Sequence, residues 1–357
     1  MNLKLIKKKI DHQRLKWADR LMSYALSAEL DNVKVVKIII KIYTLLVQNV
    51  YVLSHHKANH HYIPRFLLKK FSISGTGQIY QYTYFKEPYR ASILKEAACA
   101  PNLYSFKDKE TKKQSDFIET QLFALTLEKY ASRIINKIIK KDDIDLTNLE
   151  RSILTSFIAF QYTRTPMFFS HIKHVLEYLN LEKNVSIEEA IKEDFFEKAF
   201  FKNYYNINPI DYFKFIQKNK MSLAGTEDLT IKLAISIGNH LSSLFYKYDL
   251  RMLGARSPAF LYLSDSPVNI YDISNQRSVG PFLWYLNQDS LIYLPITPNQ
   301  CLYFIKTTID IPPYVVGGIL EEAIPNSIFQ FAYSDRISEL IKPAFDVVDN
   351  PTTQISK

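Results

Sequence analysis

Residues suited to acid–base chemistry on a polyanion recur in several separate stretches of this chain. Arg164 and His171 lie seven apart, almost in line on one face of a continuous helix. A guanidinium neutralises developing negative charge, and an imidazole moves a proton near neutral pH. Gln161, one turn earlier, adds an amide that can bind. Glu128 and Asp265 come from two other elements and can converge with Arg164. Each has a plainer role open to it: Glu128 can pair with Arg164 or Arg133, Arg164 can cap a carbonyl, and Ser264-Asp265-Ser266-Pro267 suits an Asx turn. Glu119 stands nine residues before Glu128, about 180° around an α-helix, so at most one of the two faces a pocket.

Four of the eight histidines crowd into His55, His56, His60 and His61. The His56-x3-His60 spacing would put two imidazoles on one helical face. No carboxylate or cysteine stands close by, and Lys57 repels a cation, so no metal site is expected. His61 joins the candidate catalytic set with Glu128, Arg164, His171 and Asp265. The plainer role for His60 or His61 is a buried, hydrogen-bonded side chain at the start of the domain.

The Arg164-x6-His171 order resembles the Arg-x4-6-His motif of helical, metal-independent ribonucleases from bacterial toxins and phage defence. The resemblance implies proton transfer at a 2′-hydroxyl by His171, with Arg164 on the phosphorane charge. It implies no cofactor. Other chemistries lack their signatures: the chain has no glycine-rich phosphate loop, no Gly-x-Ser-x-Gly, no Cys-x-x-Cys and no His-Glu-x-x-His. These absences argue against an ATPase, a dinucleotide enzyme, an esterase or a zinc protease.

Charge points the same way. Residues 1–65 hold 12 Lys and Arg against 4 Asp and Glu, so nearly all of the net +9 sits at the N-terminal end. Lys34, Lys37 and Lys41 form one stripe on a largely apolar helix. A transmembrane span would hold these lysines at up to ~2.5–3.5 kcal/mol each, so an amphipathic helix lying on the domain is expected. Its partners would be RNA or DNA, or less readily a membrane surface. Only Cys99 and Cys301 are present, which suits reduced thiols, and the basic opening segment lacks a secretory apolar core. Cytoplasmic residence is the expectation.

The elements that must position these residues follow from the periodicity. Gln78–Phe85 alternates as a strand, and a further extended stretch is expected over 97–106. Helices are predicted from Ser115 to about Lys141, from Thr147 to Leu179 with a kink at Pro166, and from Thr226 to Lys247. Strands follow at Tyr248–Leu253, Ala259–Ser264, Leu291–Leu294 and Cys301–Ile305, and a last helix near Pro325–Ser338. The fold class is therefore α+β: a predominantly helical single globular unit with a small antiparallel sheet and an N-terminal helical extension. The expected divisions are 1–54, a basic extension; 55–345, the globular domain; and 346–357, a tail.

Segments in this order resemble the bacterial domain of unknown function 4238 family. They are His60-His61-Tyr62-Ile63-Pro64-Arg65-Phe66-Leu67-Leu68-Lys69-Lys70-Phe71, the helix of Glu119 and Glu128, Phe160-Gln161-Tyr162-Thr163-Arg164-Thr165-Pro166, and Ser264-Asp265-Ser266-Pro267-Val268 followed by Leu294-Pro295-Ile296-Thr297-Pro298. Ser266 stands where the pattern usually has Asn. Arg65 enters as a candidate binding residue beside Gln161, Lys34, Lys37 and Lys41. No activity comes with the resemblance. The functional expectation is a nucleic-acid-acting, ribonuclease-like protein of bacterial stress or phage defence. The alternative is a non-enzymatic binding or structural module using its basic helix.

Overall fold

Alternating and continuous apolar runs pair over long sequence distances in this chain. The computed structural model describes residues 59–83, 89–107, 114–115, 119, 123–124, 127–170, 227–255, 261–274, 276–279, 290–306, 311–323 and 331–335. The N-terminal stripe of Lys34, Lys37 and Lys41, the histidines His55 and His56, and His171 lie outside the described residues. No helix among the described residues is long and apolar enough to cross a membrane.

The strands, in chain order, are β1 (Asn59–His61), β2 (Gln78–Thr83), β3 (Arg90–Ile93), β4 (Cys99–Pro101), β5 (Phe106–Lys107), β6 (Gln114–Ser115), β7 (Asp249–Gly254), β8 (Leu263–Ser264), β9 (Asn269–Asp272), β10 (Arg277–Val279), β11 (Ser290–Thr297), β12 (Gln300–Ile305) and β13 (Phe331–Ser334). The helices are α1 (Arg65–Leu68), α2 (Lys129–Lys141), α3 (Asn148–Thr163), α4 (Glu227–Phe245) and α5 (Pro313–Ala323). Two larger antiparallel sheets have orders β10-β9-β11-β12-β7 and β3-β2-β13-β8, beside the small pairs β1-β4 and β5-β6.

This corrects the expectation of a predominantly helical unit with one small sheet. The reason is that several strands take their partners from far along the chain. β13 lies between β2 and β8, with Tyr333 opposite both Gln81 and Leu263. It occupies part of the stretch expected to be the last helix, and α5 comes earlier. Strands this short carry little periodic signal of their own.

The five-stranded sheet is buried on both faces, and strict alternation divides it. Ile292, Leu294, Leu302 and Phe304 point into the core shared with the helices. Leu291, Tyr293, Cys301, Tyr303 and Ile305 point into a second core with Tyr82, Ala332 and the α5 residues Val316 and Leu320. A sheet covered on both sides reads as a continuous apolar run, as β11 does.

α3 starts at a capping box. The Thr147 hydroxyl accepts from the Glu150 amide at 3.2 Å, and the Glu150 carboxylate accepts from the Thr147 amide at 2.9 Å. From Ile153 to Thr163 every residue is buried, so the helix runs through the core. It ends at Thr163, with Arg164 as its C-cap. The reason is Pro166, which pushes the residue before it away from helical geometry. The helical face expected to align Arg164 with His171 is thus broken between them.

α4 packs on α3 at Gly238. A Cβ there would meet the Phe160 ring at 2.8 Å and the Thr163 hydroxyl at 3.0 Å. Alanine normally gains about 1 kcal/mol over glycine in a helix. Here Gly238→Ala destabilises the protein by about 1–3 kcal/mol through overpacking, because a buried aromatic ring cannot swing aside. Thermal unfolding checks this, and an unchanged or raised Tm refutes it.

Candidate functional site

Three elements meet around Tyr62, the residue that follows β1. The C-terminal end of α3 brings Gln161 and Arg164 beneath its backbone. The Tyr62 carbonyl accepts from Gln161 Nε2 at 2.7 Å and from Arg164 Nε at 3.2 Å, and that same Nε donates to Gln161 Oε1 at 2.9 Å. The third element is the stretch preceding α2. There, Arg164 Nη1 donates to Glu128 Oε1 at 2.7 Å.

Arg164 is only 2% exposed while the Glu128 side chain keeps 18%. The guanidinium also lies 4.9 Å from the centre of the Phe123 ring. Burial works to lower the pKa of Arg164. Glu128 foremost, then Tyr104 and Glu119, more than offsets it and holds the group above its ordinary value. Tyr104 closes the other side: its hydroxyl donates to the Arg164 carbonyl at 2.6 Å and its amide donates to His60 Nδ1 at 2.9 Å. The His60 and Tyr104 rings stack at 5.6 Å. His60 is therefore the buried structural histidine foreseen, with Nδ1 acting as an acceptor.

Above this cradle opens a cavity of about 340 Å³, lined by His61, Arg65, Phe66, Glu119, Ala124, Glu128, Lys129 and Ser132. It holds both carboxylates that the α-helical period had set on opposite faces, which corrects the expectation that at most one faces a pocket. Glu119, Phe123, Ala124, Leu127 and Glu128 have the wide i→i+5 turns of a π-helix. At about 4.4 residues per turn, nine residues make close to two full turns, and the two carboxylates return to one side. Glu119 is further fixed by the His61 backbone N–H, which donates to its Oε1 at 3.4 Å.

The structure thus gathers His61, Arg65 and Glu128 at the cavity wall and sets Arg164 and Gln161 below them. Arg164 is buried and bonded to Glu128, which makes it a positioning residue for that carboxylate. Asp265 goes elsewhere. It is buried in the turn after β8, on the side-chain flank of Tyr62. The Tyr62 and Tyr333 hydroxyls share a hydrogen bond of 2.9 Å there. Burial raises the pKa of both, and the Asp265 carboxylate adds to it.

Ser264 Oγ donates to the Ser266 carbonyl at 2.7 Å, so the Ser-Asp-Ser-Pro segment has the local turn bonding its composition suggests. Sequence reasoning missed Tyr62, Phe123, Lys129 and Ser132, and it set Glu119 aside. Only the π-helical spacing of Glu119, Ala124 and Glu128 would have linked that helix to the cavity. Among the described residues no group of three or more His, Cys, Asp and Glu is arranged to hold a metal.

Comparison with known proteins adds one finding. The model of the family described as "Protein of unknown function (DUF4238)" matches residues 59–331, a span that includes every residue of the cradle and the cavity. No curated protein and no solved structure matches the chain.

Proposed function

The chain belongs to the DUF4238 family, and we propose that its cavity cleaves RNA by metal-independent acid–base catalysis. The observation that carries this reading is a histidine and a glutamate, His61 and Glu128, in one open cavity whose wall also holds Arg65 and Lys129. Arg164 fixes the Glu128 carboxylate from below. The basic N-terminal end, with 12 Lys and Arg against 4 Asp and Glu over residues 1–65, favours a polyanionic substrate for the chain as a whole.

In the proposed reaction Glu128 takes the proton of a ribose 2′-hydroxyl, and the oxygen attacks the adjacent phosphorus. The bond from phosphorus to the 5′-oxygen breaks, and protonated His61 gives that oxygen a proton. A 2′,3′-cyclic phosphate and a free 5′-hydroxyl result. Arg65 and Lys129 neutralise the charge that builds on the phosphoryl oxygens. Asp265, on the far flank of Tyr62, takes no part.

The test is incubation of the full chain with cellular RNA in EDTA. Wild type should give fragments with cyclic phosphate ends. His61→Ala and Glu128→Gln should each lower the rate by roughly 100-fold or more. The glutamine variant keeps an oxygen that can accept from Arg164, and circular dichroism checks that both variants fold. Arg65→Ala with Lys129→Ala should raise KM and lower kcat, and Asp265→Asn should cleave at the wild-type rate. Intact RNA from wild type, or equal cleavage by the His61 and Glu128 variants, overturns the reading. RNA retained on a gel without cleavage would assign the cavity to a binding module instead.

A further inference from the structure

We infer that the substrate is an unpaired single strand several nucleotides long, with a base on Phe66 and flanking phosphates on Lys69 and Arg133. This rests on the cavity being the nucleic-acid site proposed above. At about 340 Å³ the cavity lies near the lower end of the range for small-molecule sites. A longer strand must therefore run past it over the neighbouring surface, and that surface is basic on two sides.

One wall is α1, which supplies Arg65 and Phe66. The Lys69 amide donates to the Arg65 carbonyl, so Lys69 stands one turn beyond Arg65 on the same side. The other wall is the first turn of α2, with Lys129 and Ser132. Arg133 follows Lys129 at the same spacing, and the buried Tyr130 ring gathers the two. Lys129 Nζ lies 5.0 Å and the Arg133 guanidinium carbon 5.7 Å from the ring centre. Lys69 and Arg133 are exposed and stand outside the cavity wall. Each wall thus passes from a cation inside the cavity to a second one at the surface. Among the described residues neither Lys69 nor Arg133 is ion-paired with a carboxylate. Burial, and then the charge of Lys69, lowers the pKa of neighbouring Lys70.

Proteins that hold single strands combine such cations with aromatic faces on which bases stack. Phe66 supplies the face. Its ring lines the cavity and packs against Phe157, with centroids 5.6 Å apart. It is half-buried in the wall, so a base reaches it only after leaving a duplex stack. Cations on phosphates and a ring on a base face carry no base identity, so the strand is chosen for being unpaired and for its length. Nor does any of these contacts need the 2′-hydroxyl, which serves only the cleavage step.

The experiment is fluorescence anisotropy of a labelled single-stranded 2′-deoxy oligonucleotide of about ten nucleotides with the full chain, from about 0.05 to 0.3 M salt. Without a 2′-hydroxyl this strand cannot react, so binding is read apart from chemistry. It should bind roughly tenfold or more tighter than the blunt duplex of the same sequence. Each phosphate contact on a single strand contributes about 0.7 to the slope of log Kd against log salt. Lys69→Gln and Arg133→Gln should each flatten the slope by about that amount, which is about fivefold weaker binding at about 0.1 M salt. The double variant should lose about twice as much slope. Phe66→Leu should weaken binding by about fivefold or more with the slope unchanged, and Phe66→Trp should keep it. Lys69 and Arg133 are exposed, so their variants keep the test open should Phe66→Leu fail to fold.

Equal affinity for strand and duplex, no binding, an unchanged slope in the double variant, or a folded Phe66→Leu that binds like wild type would overturn the inference. A strand bound as described while RNA stays intact would support it and defeat the reaction proposed above. RNA cleaved with slope and affinity untouched by the three substitutions would do the reverse.

Discussion

Arg164→Met lowers the unfolding free energy by about 3–5 kcal/mol, the usual effect of removing one partner of a buried ion pair. For a protein of this size that is a fall in Tm of roughly 4–7 °C. The loss has three sources: the Glu128 contact at 2.7 Å, the bond to the Tyr62 carbonyl, and the bond to Gln161 Oε1, which is left as a buried acceptor.

Glu128→Leu is expected to cost as much, because it strands a guanidinium that is 2% exposed. The double variant should cost clearly less than the sum of the two, since an apolar pair replaces a charged one without orphaning either partner. Chemical denaturation of the four proteins measures the coupling. Additive losses would mean that the ion pair contributes nothing beyond the separate packing of its two side chains. Arg164→Lys is not a safe control. Lysine has no guanidinium fork, so it cannot serve Tyr62, Gln161 and Glu128 together.

Phe157→Ala is the second large effect, again about 3–5 kcal/mol. Phe157 is among the largest fully buried side chains, in the all-buried stretch of α3, so the ring leaves a void that rigid neighbours cannot fill. The consequence reaches the cavity, because Phe66 loses the ring that backs it. Calorimetric unfolding should show the stability loss, and on the reading proposed above RNA cleavage should slow in the fraction that remains folded. Phe157→Leu should recover most of both by refilling the volume. An alanine variant with wild-type Tm would show that α3 closes over the gap.

Much of the cradle was legible before any coordinates. Pro166 was legible as a kink in a helix running on to Leu179, and a carbonyl cap was one of the open readings of Arg164; the structure ends α3 at Thr163 with Arg164 as its C-cap. Gln161, three residues earlier, shares its face and does bond to it. The Glu128–Arg164 ion pair was one of the open readings of those two residues. Asp265 was legible as a turn residue and misread as part of the same cluster. Its carboxylate lies toward the hydroxyl of Tyr62, while the cluster gathers on that residue's carbonyl.

What the chain alone determined is whatever depends on neighbours in sequence: the helical periods of α2, α3 and α4, the hairpin of β11 and β12, and the turn chemistry at Ser264–Pro267. What only the tertiary structure decided depends on partners far away. β13 pairs with β2 and β8 across most of the described chain. The wide turns before α2 bring Glu119 and Glu128 to one side. Such turns carry no propensity signal of their own, because they are held by what packs around them: here Arg164 beneath Glu128, the His61 amide on Glu119, and Phe123 under the guanidinium.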